Sequence, residues 1–93
     1  MNLVTLEDVH MSYDKVAKAQ HLAIGTKQTV RALERDQAQQ VMIAADASPF
    51  LRKKVEDLAK QKAVPFTYVD SMLKLGKACG IDVKAAAVAI INE

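Results

Sequence analysis

Val41-Met42-Ile43-Ala44-Ala45, followed at once by Asp46-Ala47-Ser48-Pro49, decides the fold. The first five residues are apolar without alternation, the pattern of a strand covered on both faces, so this strand belongs at the centre of its sheet. The next four form a helix start. Ser48 can accept a hydrogen bond from a first-turn N–H, and Pro49 falls in the first turn, where its missing N–H costs nothing. Leu51, Val55 and Leu58 then recur at helical spacing and are expected to face the sheet.

Reading outward toward the C-terminus, Val64 to Val69 is a further strand, entered through Pro65, which cannot donate to a ladder. Asp70 or Ser71 caps a helix carrying Met72, Leu75 and Cys79, and Gly80 can end it in a left-handed conformation. Ile81-Asp82-Val83-Lys84 is a loop before a last strand from about Ala87 to Ile91. Toward the N-terminus, Leu22-Ala23-Ile24 is a short strand ended by Gly25. Thr26 is expected to cap a helix reaching about Asp36, with Val30 and Leu33 inward and Lys27, Arg31 and Arg35 stacked outward. Ser12 is expected to cap the first helix, whose inner face follows Tyr13, Val16, Ala17 and Gln20. Met1 to His10 reads as an N-terminal extension, flexible or an expression artefact, and residues 11–93 as the single domain. Helices and strands thus alternate strictly. The fold class is α/β, a three-layer α-β-α sandwich around a mixed sheet of about four strands.

Ninety-three residues, 51% of them hydrophobic, suffice for one core without disulfides or metals as staples. Cys79 is the one cysteine, which excludes an internal disulfide and fits a reducing compartment. The longest apolar run, Ala85 to Ile91, is too short to span a bilayer, and the first residues lack a signal peptide's pattern. A cytoplasmic protein with no membrane partner is expected. Net charge is +2, but all thirteen basic residues lie from Lys15 onward, against eight acidic ones there. That bias suits phosphate binding and equally an ordinary solvated surface. With Tyr13, Phe50, Phe66 and Tyr68 as its aromatics, the chain offers little platform for stacking single-stranded bases.

The catalytic inventory is short. His21 has no Cys, Asp or His at metal-ligand spacing and reads as a surface histidine, and His10 lies in the extension. Cys79 falls in the last turn of a helix, where the dipole disfavours a thiolate, so it reads as a packed thiol. Gly25-Thr26-Lys27 resembles the end of a P-loop, but the upstream glycine is absent and Gln28 follows the lysine. No enzyme activity, cofactor or metal is expected. The same turn suits an anion, because a strand ending in glycine and opening a helix presents unpaired N–H groups. Thr26 adds a hydroxyl, Lys27 and Arg31 cations, and Gln28 an amide able to donate and accept at a base edge. An ordinary capped helix with a solvated basic face remains the alternative.

Four segments carry a resemblance. They are Ile24-Gly25-Thr26-Lys27-Gln28-Thr29-Val30-Arg31, then Ala44-Ala45-Asp46-Ala47-Ser48-Pro49, then Val64-Pro65-Phe66 through Leu75-Gly76-Lys77-Ala78-Cys79-Gly80-Ile81, and finally Ala85-Ala86-Ala87-Val88-Ala89-Ile90-Ile91. In this order and spacing the chain, from Met11 to Asn92, resembles the kink-turn-binding superfamily that includes archaeal and eukaryotic large-subunit ribosomal proteins.

The resemblance implies a non-enzymatic protein whose two loops grip a kinked RNA stem. In the archaeal members the glycine is followed by a small residue, Asn, Glu, two variable positions and Lys, which read tandem sheared G·A pairs. Here Thr26, Lys27, Gln28, Thr29, Val30 and Arg31 stand there. Lys27 in place of Asn lacks an acceptor. Gln28 in place of Glu keeps an acceptor without the charge-assisted bond, and Arg31 keeps the cation. The second loop, after Gly80, aligns with Ile81, Asp82 and Val83 and implies apolar contact with a flipped-out base; Ile81 and Val83 tucked under the loop as core is the alternative. Lys77 and Lys84 can bind nearby phosphates. The implied partner is structured RNA with a kink-turn, whether riboswitch, ribosomal or leader RNA, with the ribosome as a further partner, bound by a monomer. The competing expectation is a ribosome or ribonucleoprotein assembly component acting through protein contacts at Leu51, Val55 and Leu58 or at Arg52-Lys53-Lys54.

Overall fold

The computed structural model describes residues 6–92, with side chains from Met11 onward. In chain order it comprises α1 (Leu6–Lys18), β1 (Leu22–Ile24), α2 (Thr26–Glu34), β2 (Ala38–Ala44), α3 (Pro49–Gln61), β3 (Phe66–Val69), α4 (Met72–Ala78) and β4 (Ala87–Ile91). The strands form one sheet in the order β1-β4-β2-β3. β2 and β3 run parallel, and β4 is antiparallel to both β1 and β2. The apolar run at Val41 is therefore internal, as its lack of alternation requires.

Strand periodicity assigns the two layers. Met42, Ala44, Val88 and Ile90 point to one face and pack with Val16 of α1 and Leu75 of α4. Val41, Ile43, Ala87 and Ala89 point to the other and pack with Leu33 of α2 and with Val55 and Ala59 of α3. Burying a side chain such as Leu33 or Leu75, both fully enclosed, stabilises the fold by about 1.5–3 kcal/mol. The result is the α-β-α sandwich with a four-stranded mixed sheet.

Two boundaries differ from the sequence reading. α1 begins at Leu6 rather than at Ser12, so Ser12 sits inside the helix and is buried, while Ala17 points to solvent. Leu6 to His10, expected to be extension, supply the first turns of that helix, and residues 1–5 lie outside those described. β3 starts at Phe66, after Pro65, whose carbonyl nevertheless accepts a bond from the Val41 N–H at 3.0 Å. The proline joins the ladder with the one group it has.

α2, α3 and α4 end in the same way. A residue at positive φ follows each C-cap, at Asp36 (57°), Ala63 (56°) and Gly80 (80°). The next N–H turns back to the helix, Gln37 to Ala32, Val64 to Ala59 and Ile81 to Gly76. Gly80 suits the conformation best and Asp36 tolerates it, whereas Ala63 does not. Ala63→Gly is expected to relieve left-handed strain and, after the added entropy of the unfolded chain, to stabilise by about 0.5–1 kcal/mol. A raised urea or thermal midpoint is the measurement that checks it.

Candidate nucleic-acid interface

β1 ends where β4 begins, so the turn after β1 and the loop before β4 emerge at the same end of the sheet. The Gly25 N–H donates to the Ala87 carbonyl at 2.8 Å, which ties the first turn to the exit of the second loop. The geometry demands glycine, because φ is 99° and ψ 161°. Gly25 itself is the N-cap, and its carbonyl accepts the first helical bond from the Thr29 N–H at 2.9 Å. Thr26, expected to cap, instead opens the helical turn, and no side chain caps α2. α3 and α4 contrast with it: Ser48 accepts from Leu51 N, Ser71 from Lys74 N, and the Asp46 carboxylate from Met72 N. The orphan N–H groups of α2 are thus left open to an anion. Lys27, Gln28 and Arg31 are exposed around them, while Thr29 is fully buried, its hydroxyl directed at the Ala23 carbonyl at 3.5 Å.

The second loop is laid against α4. Ile81 N–H bonds to the Gly76 carbonyl at 3.1 Å, Ala85 N–H to the Met72 carbonyl at 3.1 Å, and the Ala86 carbonyl accepts from Ala44 N–H at 2.9 Å. Between these anchors the loop passes so close to Gly76 that a Cβ there would collide with the Val83 carbonyl. The two apolar residues divide: Val83 is 65% exposed, whereas Ile81 is half-buried. Lys77, Asp82 and Lys84 are exposed beside them. Gly76 was given no role by the sequence reading, although a glycine inside a helical pattern, costing about 1 kcal/mol against alanine, is the signal that marks such a contact. Asp46, which reaches across from the β2–α3 connection to hold α4, was likewise missed.

Charge follows the same division. Among the described residues the ion pairs are Lys53–Asp57, Lys60–Glu56, Lys62–Asp36 and Lys74–Asp70. None engages Lys27, Arg31, Lys77 or Lys84, the cations flanking the two loops. Tyr13 donates to Asp70 at 2.6 Å. Burial, then this bond, pushes its phenol up, and the bond together with Lys74 holds the Asp70 carboxyl below its usual value. That network fastens α1 to the start of α4. Burial also pushes the Cys79 thiol up, as for a packed side chain. Among the described residues no group of His, Cys, Asp or Glu is placed to hold a metal, and no helix is long and apolar enough to cross a membrane.

The features behind the competing expectation of protein contacts are dispersed. Val55 and Leu58 pack into the core beneath α3. Of the basic run, Lys53 pairs with Asp57, Arg52 lies toward Tyr68 with its Nε buried and unpartnered, and Lys54 faces α2 across a groove of about 450 Å³.

Comparison with known proteins accords with this architecture. Residues 7–93 match the model of the ribosomal protein L7Ae/L30e/S12e/Gadd45 family. The chain is 59% identical over 81 residues to an RNA-binding protein of Bacillus pumilus, covering 87% of this chain and 99% of that one. It is 54% identical over 82 residues to RNA-binding protein YbxF of Geobacillus stearothermophilus, covering 88% of this chain and all of that one. Among solved structures, the Giardia lamblia 15.5kD RNA binding protein superposes with a TM-score of 0.80 at 26% identity, over 100% of this chain and 78% of the other. The match across residues 7–93 and the high identity to these relatives mean that the chain belongs to the ribosomal protein L7Ae/L30e/S12e/Gadd45 family.

Proposed function

We propose that this protein binds structured RNA and stabilises kink-turn motifs within it, without catalysing a reaction. The observation that carries this reading is the pairing of β1 with β4, which sets the uncapped α2 N-terminus and the loop from Gly80 to Lys84 side by side, flanked by cations that make no ion pair among the described residues. The naming of its relatives as RNA-binding proteins supports the general class.

In this reading the N–H groups after Gly25, with Thr26, take an RNA phosphate, and Gln28 meets the G·A step with Lys27 and Arg31 on either side. Val83 covers the unstacked base, with Ile81 supporting it from below and Gly80 and Asp82 shaping the turn; Lys77 and Lys84 hold the flanking backbone. The protein acts by population shift: an RNA that is kinked part of the time stays kinked when the kinked form binds better. Riboswitch, ribosomal and leader RNAs in the cytoplasm are the partner class. The test is the affinity for a kink-turn stem against the same stem with its G·A pairs replaced by Watson–Crick pairs, at physiological salt. Preference for the kink-turn is expected, and equal affinities would sink the reading.

A further inference from the structure

The groove between α2 and α3 opens directly from the Gly25 turn, since Thr26 and Lys27 belong to both. Its α2 wall is the stripe of Lys27, Val30, Arg31 and Glu34, and Leu51 and Lys54 come across from α3. Val30 and Leu51 are half-buried and form a low floor, while the charged ends stand exposed along the rims. Three cations face one carboxylate, and among the described residues none of the four is in an ion pair. The neighbouring Lys53, outside the groove, is by contrast held in an i,i+4 ion pair with Asp57.

We infer that this groove is a second track for the RNA, taking the phosphodiester backbone of the strand that leaves the kink, with Lys54 as its far contact. The inference rests on the RNA-binding reading above and extends the footprint onto a helix that neither loop includes. Charge decides for phosphate: three cations against one carboxylate fit an acidic partner, and the apolar part of the lining is Val30 and Leu51 alone. Lys27 and Arg31 serve both tracks, and Lys54 serves only this one. The contact is a point charge on a phosphate, so it lends affinity and salt dependence without sequence preference.

Lys54→Ala tests it, with Lys53→Ala as control for the loss of one charge outside the groove. Affinity is measured across salt concentrations for a kink-turn stem with a flanking duplex and for its Watson–Crick counterpart. Lys54→Ala is expected to reduce the slope of log affinity against log salt by about 0.7–0.9, so that the loss between about 50 and about 200 mM salt shrinks about threefold, with Lys53→Ala at the wild-type slope. A slope for Lys54→Ala equal to that of wild type, or to that of Lys53→Ala, overturns the inference and leaves the groove to a protein partner. If the wild type binds both stems equally, the kink-turn reading fails, while the Lys54 comparison still decides the groove on either RNA.

Discussion

Replacing Gly76 with alanine is expected to destabilise the protein by about 1–3 kcal/mol and to weaken RNA binding beyond what that loss of stability explains. Helix propensity predicts the opposite sign, since alanine in the middle of a helix is favoured over glycine by about 1 kcal/mol. Contact geometry overrules it. The new Cβ meets the Val83 carbonyl, which is backbone and fixed on both sides by the bonds from Ile81 to Gly76 and from Ala85 to Met72. Either the loop lifts or α4 retreats from a core in which Leu75 is fully enclosed. Urea unfolding measures the first effect. Gly80→Ala is the comparison for the second: nothing lies within 4 Å of its added Cβ, so it adds left-handed strain without a collision with the loop. If Gly76→Ala unfolds at the wild-type midpoint and binds RNA normally, the loop is not held by that contact.

Gln28→Ala is expected to remove about 1–3 kcal/mol of the discrimination between kink-turn and Watson–Crick stems while leaving stability nearly unchanged. Gln28 is exposed in the first turn of α2, so the folded state gives up little with it. What goes is an amide that can accept from a guanine amino group and donate in return. Gln28→Glu separates position from charge, because a carboxylate there makes the charge-assisted bond and is expected to hold or raise discrimination. Titrating both stems with each variant provides the check. Discrimination unchanged in Gln28→Ala would take the base-reading role away from this residue.

Most of the fold was legible because local chemistry and tertiary structure agree. The apolar run at Val41, the Ser48-Pro49 start and the stop at Gly80 each carry their own reason in two or three residues. The misreadings share a cause. Ser12 resembles a cap in isolation, yet Leu6, Val9, Tyr13 and Val16 continue one helical spacing through it, and the pattern outweighs the single residue. Thr26 is a better capping residue than glycine, but the Gly25 N–H is claimed by Ala87, and a residue at φ 99° must follow the strand. The helix therefore starts one position earlier than the side chains suggest. Gly76 and Asp46 act on partners distant in sequence, Val83 and Met72, so their importance exists only after the chain has folded. The outward direction of Lys27, Arg31 and Arg35 follows from helical spacing, while the division between Val83 and Ile81 depends on how the loop rests on α4.

The pairing of Leu22 with Ile90 and of Ile24 with Val88 joins segments from opposite ends of the domain. Helices and the β2-α3-β3 unit are built from near neighbours and can form early, but this edge needs the costliest loop closure in the molecule. The Gly25 turn and the loop before β4 therefore come into register only when β4 pairs with β1. The same strand completes both core layers, with Val88 and Ile90 on one face and Ala87 and Ala89 on the other, so the fold and the joining of these two segments depend on one element.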